Sequence, residues 1–324
     1  MIKISIIIAL RNEAENVDKL FTSLRTINFS NSQYEIIFID DSSSDDTYNK
    51  LKENINEGDN YFVFKAESKK YSGKKGALTL GVEKANFDYI MMTDADCIVS
   101  SEWLKKYSEK FDKGFDFIFA PSPFIAENNL VNKISCFENL RSSILTFSFF
   151  KMGFPYNAFG RNLGFSKKLF EKTKGYENTL ETLSGDDDLL LREAVKRKLK
   201  IGIIEESDAF VYSYTKGKFK EYLKQKSRHL KTSHHYTVTI KNLLGIWHLI
   251  NLIMLFSLFL VPIIPRIIVL PSMKILFDIL IVKSFQKKYS YNFKIQQIFC
   301  LQIIYECFLI LNFINSFIKK DRWN

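Results

Sequence analysis

The sequence predicts an α/β domain built on a mostly parallel sheet, followed by C-terminal transmembrane helices. Three observations predict it. Residues 1–120 alternate short β-rich runs with helical patterns, the order expected of a parallel sheet with helices on both faces. Between Lys241 and Arg266 lie 24 uncharged residues, enough to cross a bilayer. The charge is also unevenly placed. Residues 216–324 hold 17 Lys+Arg against 4 Asp+Glu, so the net +10 of this 324-residue chain is a −3 body joined to a +13 tail. At 46% hydrophobic and 25% charged, the chain is neither disordered nor collagen-like.

The elements follow in order. Residues 3–10 read as a buried strand and 13–27 as a helix. Residues 34–40 read as a strand, 45–55 as a helix, 61–66 as a strand, 73–85 as a helix and 88–96 as a strand. A further helix leads to a strand over 115–121. Residues 128–154, rich in Phe and sparse in charge, predict an interfacial helix or a buried core helix. The tail contains three apolar stretches, about 243–265, 267–282 and 295–318. The second carries Lys274 and Asp278, four residues apart and able to pair on one helical face. Three such stretches argue for membrane, because soluble helices need a polar face. They also argue against a nucleic-acid-binding tail.

Ahead of the first stretch, residues 216–231 hold seven basic residues and one acidic residue. Such segments stay on the cytoplasmic side and bind anionic lipid. The N-terminal apolar run is too short for a signal peptide, so residues 1–230 are expected in the cytoplasm and 231–324 in a membrane. Two or three spans fit. The basic end formed by Lys319, Lys320 and Arg322 falls outside with three spans and inside with two. Cys97, Cys136, Cys300 and Cys307 show no metal spacing and read as buried, inert thiols.

In open α/β sheets, ligands bind beyond the carboxyl ends of the strands. The polar residues there are Arg11, Asn12 and Glu13, then Asp40 and Asp41, then Asp94 and Asp96. Neither GxGxxG nor GxxxxGK[ST] is present. An Asp-x-Asp at a strand end handles diphosphate through a divalent cation, since hard oxygen ligands suit Mg²⁺ or Mn²⁺. Chance supplies roughly four acid-x-acid triplets in a chain of this composition, so position carries the case. Here Asp94 and Asp96 fall where a buried strand stops. Asp45 reads as a helix cap, leaving Asp40 or Asp41 to point into the cleft and recognise a base or ribose. Asp186, Asp187 and Asp188 open a helix, and three adjacent carboxylates raise the proton affinity of at least one. That suits a general base or a helix cap. His229, His234, His235 and His248 fall in the tail and are expected to do no chemistry.

Taken together, SIIIALRNEAENV, EIIFIDDSSSDDT, KGALTLG, MMTDADC and SGDDDLLLR, in this order, resemble the family 2 glycosyltransferases of the GT-A fold. The resemblance covers about residues 1–230, and the tail is similar to that of membrane-attached bacterial members. It implies a metal-dependent, inverting transfer of a hexosyl or N-acetylhexosaminyl group from a nucleotide-diphosphate-sugar, a UDP-sugar favoured, to a lipid-linked or glycan acceptor. It puts Ala9, Arg11, Glu13, Asp41, Lys75, Asp94 and Asp96 on the donor side, with Asp96 and Asp94 as ligands of Mg²⁺ or Mn²⁺. It makes Asp187 the favoured base, with Asp186 next. Arg161 and Asn162, in GRNLGFSKKLF, match the acceptor side, and Gln225 and Arg228 match QxxRW, with His229 in place of the Trp. Thr79 stands where the family often has Asn. Membrane lipids are expected partners and nucleic acid is not. The alternatives are a polyprenyl-phosphate glycosyltransferase, a processive polysaccharide synthase, and a membrane-tethered nucleotide-sugar binder without catalysis. The acidic motifs speak against the last.

Overall fold

The computed structural model describes residues 1–318, with side chains as far as Leu311; Lys319, Lys320, Arg322 and Trp323 lie outside the described residues. The chain divides into two compact units. One comprises Met1–Pro123 and Asn157–Tyr214, the other Phe124–Tyr156 and the chain from Thr215 onward.

The first unit begins with β1 (Ile4–Leu10), α1 (Val17–Leu24), β2 (Tyr34–Asp40), α2 (Thr47–Glu53), β3 (Tyr61–Lys65), α3 (Gly73–Lys84) and β4 (Tyr89–Asp94). It continues through β5 (Cys97–Val99), α4 (Trp103–Asp112) and β6 (Phe117–Phe119). The chain then forms α5 (Leu130–Lys151) of the second unit. It returns as β7 (Leu163–Ser166), α6 (Lys167–Thr173), α7 (Asp188–Lys196), β8 (Ile201–Ile203) and β9 (Val211–Ser213). The main sheet runs β3-β2-β1-β4-β7-β6-β8. Strands β3, β2, β1 and β4 are parallel, whereas β7 runs antiparallel between β4 and β6. The antiparallel β5–β9 pair was not foreseen, because each strand is only three residues long.

Burial explains the order. The β1 and β2 strands are buried nearly throughout, as their unbroken apolar runs require with helices on both faces. On one face Phe21 of α1 stacks on Phe38 of β2, with ring centroids 5.1 Å apart, and Tyr61 of β3 meets both edge-on. On the other, α3 lies so close to the sheet that a Cβ on Gly81 would run into Ile7. At the amino-terminal edge, buried Glu35 accepts from Ser5 Oγ at 2.6 Å and from the backbone and side-chain nitrogens of Asn86 at 2.6 and 2.7 Å. The register places Leu10 beside Asp40 and Ala9 beside Asp94 at the opposite edge. Strand order reverses at β1, which lies between β2 and β4, so this edge is where a ligand crevice belongs.

The second unit is helical: α5, then α8 (Phe219–Ser233), α9 (Val238–Phe256), α10 (Val269–Phe285) and α11 (Ile295–Ile318). Much of α5 is buried, and it packs against α8, α10 and α11. The pairing of Lys274 with Asp278 forms as their spacing predicts, and it belongs to a larger cluster. Arg141 reaches Asp278 at 3.2 Å, Lys274 reaches Glu306 at 3.1 Å, and Gln302 donates to Glu306 at 2.8 Å. Two cations thus balance two carboxylates inside an otherwise apolar bundle. Among the described residues, one helical run is long and apolar enough to cross a membrane, Val238–Leu260, and Ile246, Leu249, Ile253 and Phe256 along it are exposed. The part of α11 with described side chains, Ile295–Leu311, is an apolar helix, and α10 carries the charged pair. Cys97 and Cys136 are buried, whereas Cys300 and Cys307 are exposed, contrary to expectation, because they fall on the outward side of α11.

Candidate active site

The loops after β1 and β2 are laced together before any ligand is considered. Asn12 and Ser42 adopt left-handed backbone, with φ of 56° and 58°, where each loop turns away from its strand. The Asn12 side chain accepts from the Ser44 N–H at 2.8 Å, and the Glu13 N–H donates to Thr47 Oγ1 at 2.8 Å. Asp45 accepts from the N–H of Thr47 at 3.1 Å and of Ala14 at 3.2 Å, tying the start of α2 to the first loop, while the N-cap position itself is taken by Asp46. Burial works against the charge of Asp45, yet these hydrogen bonds hold its carboxyl below the usual range. Arg11 stays exposed beside this lacing, and Glu13 accepts from Asn16 Nδ2 at 2.6 Å.

Asp40 and Asp41 are both buried at the end of β2. Asp41 pairs through Oδ1 with Lys69, while Asp41 Oδ2 and Asp40 Oδ1 are buried oxygens without a hydrogen bond among the described residues. Buried acceptors of that kind call for a donor from outside the protein. Asp94 closes β4, and Asp96 lies in the two-residue turn to β5.

The acidic run before α7 is shaped by two glycines. Gly185, at φ 79°, supplies the turn that a side chain would strain. Gly160 approaches the carboxylates closely and its N–H donates to Asp187 Oδ2 at 2.8 Å. The other oxygen of Asp187 accepts from the Asp188 N–H at 2.9 Å. Asp186 instead meets Lys74, whose Nζ lies 3.0 Å from Asp186 Oδ2 and 2.7 Å from Asp94 Oδ1. One ammonium therefore joins the strand-end Asp-x-Asp to the acidic run, 92 residues apart in sequence. Burial raises the proton affinity of Asp187, and the charge of Asp186 raises it further. For Asp186 burial acts the same way, but Lys74 outweighs it and holds the carboxyl low. Burial disfavours the Lys74 charge, and Asp186 and Asp94 more than restore it.

Two expectations need correction. Lys75 does not face the carboxylates; its buried ammonium donates to the carbonyl oxygens of Thr179 and Thr182, the second at 3.0 Å. The neighbouring Lys74 does. Asn162 is fully buried, its amide donating to the carbonyls of Pro121 and Ala209 while its oxygen accepts from Trp103 Nε1 and Tyr107 Oη. Its polar atoms are engaged within the protein, leaving none to meet an acceptor. Arg161 donates to Ser213 Oγ at 2.5 Å and to the Ser122 carbonyl at 2.9 Å. Gln225 and Arg228 lie on α8, in the second unit. Sequence reasoning missed Lys69 and Lys74. The available signal was four lysines within residues 69–75, in a chain whose strand-end carboxylates need cations.

A metal is tested by the same geometry. Among the described residues no group of three or more His, Cys, Asp or Glu gathers as a metal cage. Mg²⁺-type sites commonly take one or two carboxylates and complete their shell with substrate phosphates and water. Asp94, already holding a cation, and Asp96 fit that pattern with hard oxygen donors.

Known proteins resemble this chain in sequence and in fold. The chain is 36% identical over 101 residues to a beta-monoglucosyldiacylglycerol synthase of Trichormus variabilis, covering 31% of this chain and 22% of that one. It is 34% identical over 102 residues to a poly-beta-1,6-N-acetyl-D-glucosamine synthase of Staphylococcus aureus, covering 31% and 23%. These matches span about a fifth of the length of those relatives. Among solved structures, the mannosyltransferase PcManGT of Pyrobaculum calidifontis, in complex with GDP-Man and Mn²⁺, superposes with a TM-score of 0.65 at 12% identity, covering 98% and 88% of the two chains. TarS 1-349 of S. aureus gives 0.51 at 17% identity, covering 94% and 92%. The fold is GT-A. Residues 5–173 match the family described as Glycosyl transferase family 2, and the chain belongs to that family.

Proposed function

We propose that this protein is an inverting glycosyltransferase that moves a sugar from a nucleotide-diphosphate-sugar to an acceptor hydroxyl. The observation that carries the reading is the Lys74 ammonium between Asp94 and Asp186, which brings the diphosphate-side carboxylate and the acidic run together at the sheet's switch point.

Asp41 offers a buried, unpartnered oxygen, suited to accept from an N–H or O–H of the nucleoside. Asp94 and Asp96 would hold Mg²⁺ or Mn²⁺, which when bound supplies positive charge to a departing diphosphate. PcManGT was solved in complex with Mn²⁺, which supports a divalent ion here. Asp186 takes the role of general base, in preference to Asp187. Both oxygens of Asp187 already accept backbone N–H groups, so that residue is held in place beside its neighbour. Asp186 removes the proton from the acceptor hydroxyl as that oxygen attacks the anomeric carbon opposite the leaving group. Lys74 holds the Asp186 carboxyl low, so drawing that ammonium toward a diphosphate frees Asp186 to take the proton.

A UDP-sugar is the first choice of donor, since TarS 1-349 was solved with UDP-GlcNAc; that structure superposes with a TM-score of 0.50 at 16% identity, covering 70% of this chain and 65% of that one. A lipid-linked acceptor is supported by the exposed apolar run Val238–Leu260 and by the glycolipid synthase among the relatives. The same run and the basic segment before it support attachment to the bacterial inner membrane, with the first unit in the cytoplasm.

The test is a thermal-shift screen of the detergent-purified chain against UDP-, GDP- and dTDP-sugars with Mn²⁺. Stabilisation by one nucleotide class, lost in Asp96→Ala, is expected. Stabilisation by none of them would overturn the reading.

A further inference from the structure

The loop after β3 and the first turn of α3 form a segment with four lysines within seven residues, Lys69, Lys70, Lys74 and Lys75. Two of them lie on donor-side carboxylates: Lys69 on Asp41, and Lys74 on both Asp94 and Asp186. Lys75 anchors the segment through the carbonyls of Thr179 and Thr182. The backbone is shaped for this course. Gly73 turns at φ 69°, and a Cβ on Gly76 would overlap the carbonyl oxygen of Tyr71. Lys74 thus covers an oxygen assigned to a divalent cation, and Lys69 holds Asp41 Oδ1, beside the oxygen assigned to the nucleoside. Without Lys74, Asp94 and Asp186 would face one another as like charges.

We infer that this segment is a cationic placeholder that holds the donor site in its empty state, with Lys74 as a positioning residue that gives up Asp94 when the donor binds. The inference rests on the proposed function, since it takes that donor site as given. A divalent cation arriving alone must displace the ammonium from Asp94 and leave it only Asp186, which it already holds, with no new anion in exchange. A nucleoside diphosphate provides that anion, because its oxygens accept charge-assisted hydrogen bonds from Lys74. Cation and nucleotide therefore bind with positive and reciprocal coupling, and each alone binds weakly. The coupling is built into the chain by Lys74 and does not come only from direct contact between the two ligands.

The experiment measures Mn²⁺ binding to the full chain by electron paramagnetic resonance of free Mn²⁺, with and without UDP or GDP. The proteins are wild type, Lys74→Met and Lys74→Arg. Wild type is expected to bind Mn²⁺ about tenfold tighter when nucleotide is present. Lys74→Met should bind Mn²⁺ about tenfold tighter than wild type without nucleotide and lose most of the enhancement, while Lys74→Arg keeps the wild-type pattern. Equal Mn²⁺ affinity of Lys74→Met and wild type without nucleotide would overturn the inference. So would a wild type whose Mn²⁺ affinity ignores a nucleotide that it binds, a result that needs no variant. Those two outcomes leave nucleotide binding, and with it the proposed function, standing. A wild type that binds neither UDP nor GDP at any Mn²⁺ concentration would instead overturn the proposed function, and the placeholder with it.

Discussion

The N–H of Gly160 donates to Asp187 Oδ2 at 2.8 Å, and a Cβ placed on Gly160 would stand 3.0 Å from that same oxygen. The loop before β7 thus touches the acidic run before α7 so closely that a methyl group there would have to shift Asp187 by a few tenths of an ångström. Gly160→Ala should push the Asp186–Asp187 pair aside while leaving the sheet intact. We expect transfer to fall by about a hundredfold, as for small misplacements of a reacting group, with thermal stability close to wild type. Steady-state kinetics beside a melting curve checks this; unchanged kinetics would show that the loop does not position the pair.

The two carboxylates of that pair should separate on mutation. Asp186→Asn removes the proposed base and is expected to abolish transfer while nucleotide-sugar binding persists. Asp187→Asn keeps its shape but replaces one backbone-bonded oxygen with an N–H donor, and should lower the rate by an intermediate factor of about 10–100. Rate and donor affinity measured together decide it. Full activity in Asp186→Asn would return the base to Asp187.

The helix that carries the pair is anchored at its far side by Glu193, which accepts from Arg192 Nε at 3.1 Å, Lys196 Nζ at 2.9 Å and Arg197 Nη1 at 2.6 Å. Burial favours its neutral form, but the hydrogen bonds from Lys196 and Arg197 prevail and hold its carboxyl below the usual range. A lowered folded-state value means that its stabilisation is complete above the ordinary glutamate range and fades as pH falls through the folded value. Glu193→Gln should cost about 2 kcal/mol at neutral pH. The difference from wild type should shrink in acid, which chemical denaturation at pH 7 and pH 4 can follow. An equal difference at both would assign the loss to packing.

Much of this architecture was legible in the sequence, for a physical reason. The β1, β2 and β4 strands are apolar runs that end in polar residues, so both the strands and the edge that carries the site could be read from residues 3–10, 34–40 and 88–96. The start of α2 beside Asp45 followed from local chemistry, although the N-cap falls one residue later, at Asp46. What escaped depends on long-range placement. Asn162 looks like a loop polar residue, and only the fold reveals Trp103 and Tyr107 closing over it. Lys74 and Lys75 are adjacent and chemically alike; helix geometry sends one to Asp94 and Asp186 and the other to the carbonyls of Thr179 and Thr182. Spacing cannot tell them apart. The apolar tail was read by length, yet α10 spends part of its surface on the Lys274–Asp278 cluster.

A packing prediction tests the fold beneath the site. Gly81 on α3 has no room for a methyl group against Ile7 of β1. Gly81→Ala should destabilise the protein by about 1–3 kcal/mol through overpacking. Donor affinity of the folded fraction should be nearly unchanged, because Gly81 lies two turns beyond Lys74. Calorimetry with a nucleotide-binding isotherm checks both; a gain in stability would mean that α3 is free to move off the sheet.

Inverting transfer with Asp186 as the base is open to direct test through the stereochemistry of the product. The full chain is incubated with Mn²⁺, an isotopically labelled α-linked UDP- or GDP-sugar and a bacterial lipid extract, and the anomeric proton of the labelled product is read by NMR. Wild type should give a β-linked glycolipid, with free nucleoside diphosphate in equal amount, and Asp186→Asn should give none. An α-linked product, or an undiminished β-linked product from Asp186→Asn, would contradict the proposed mechanism.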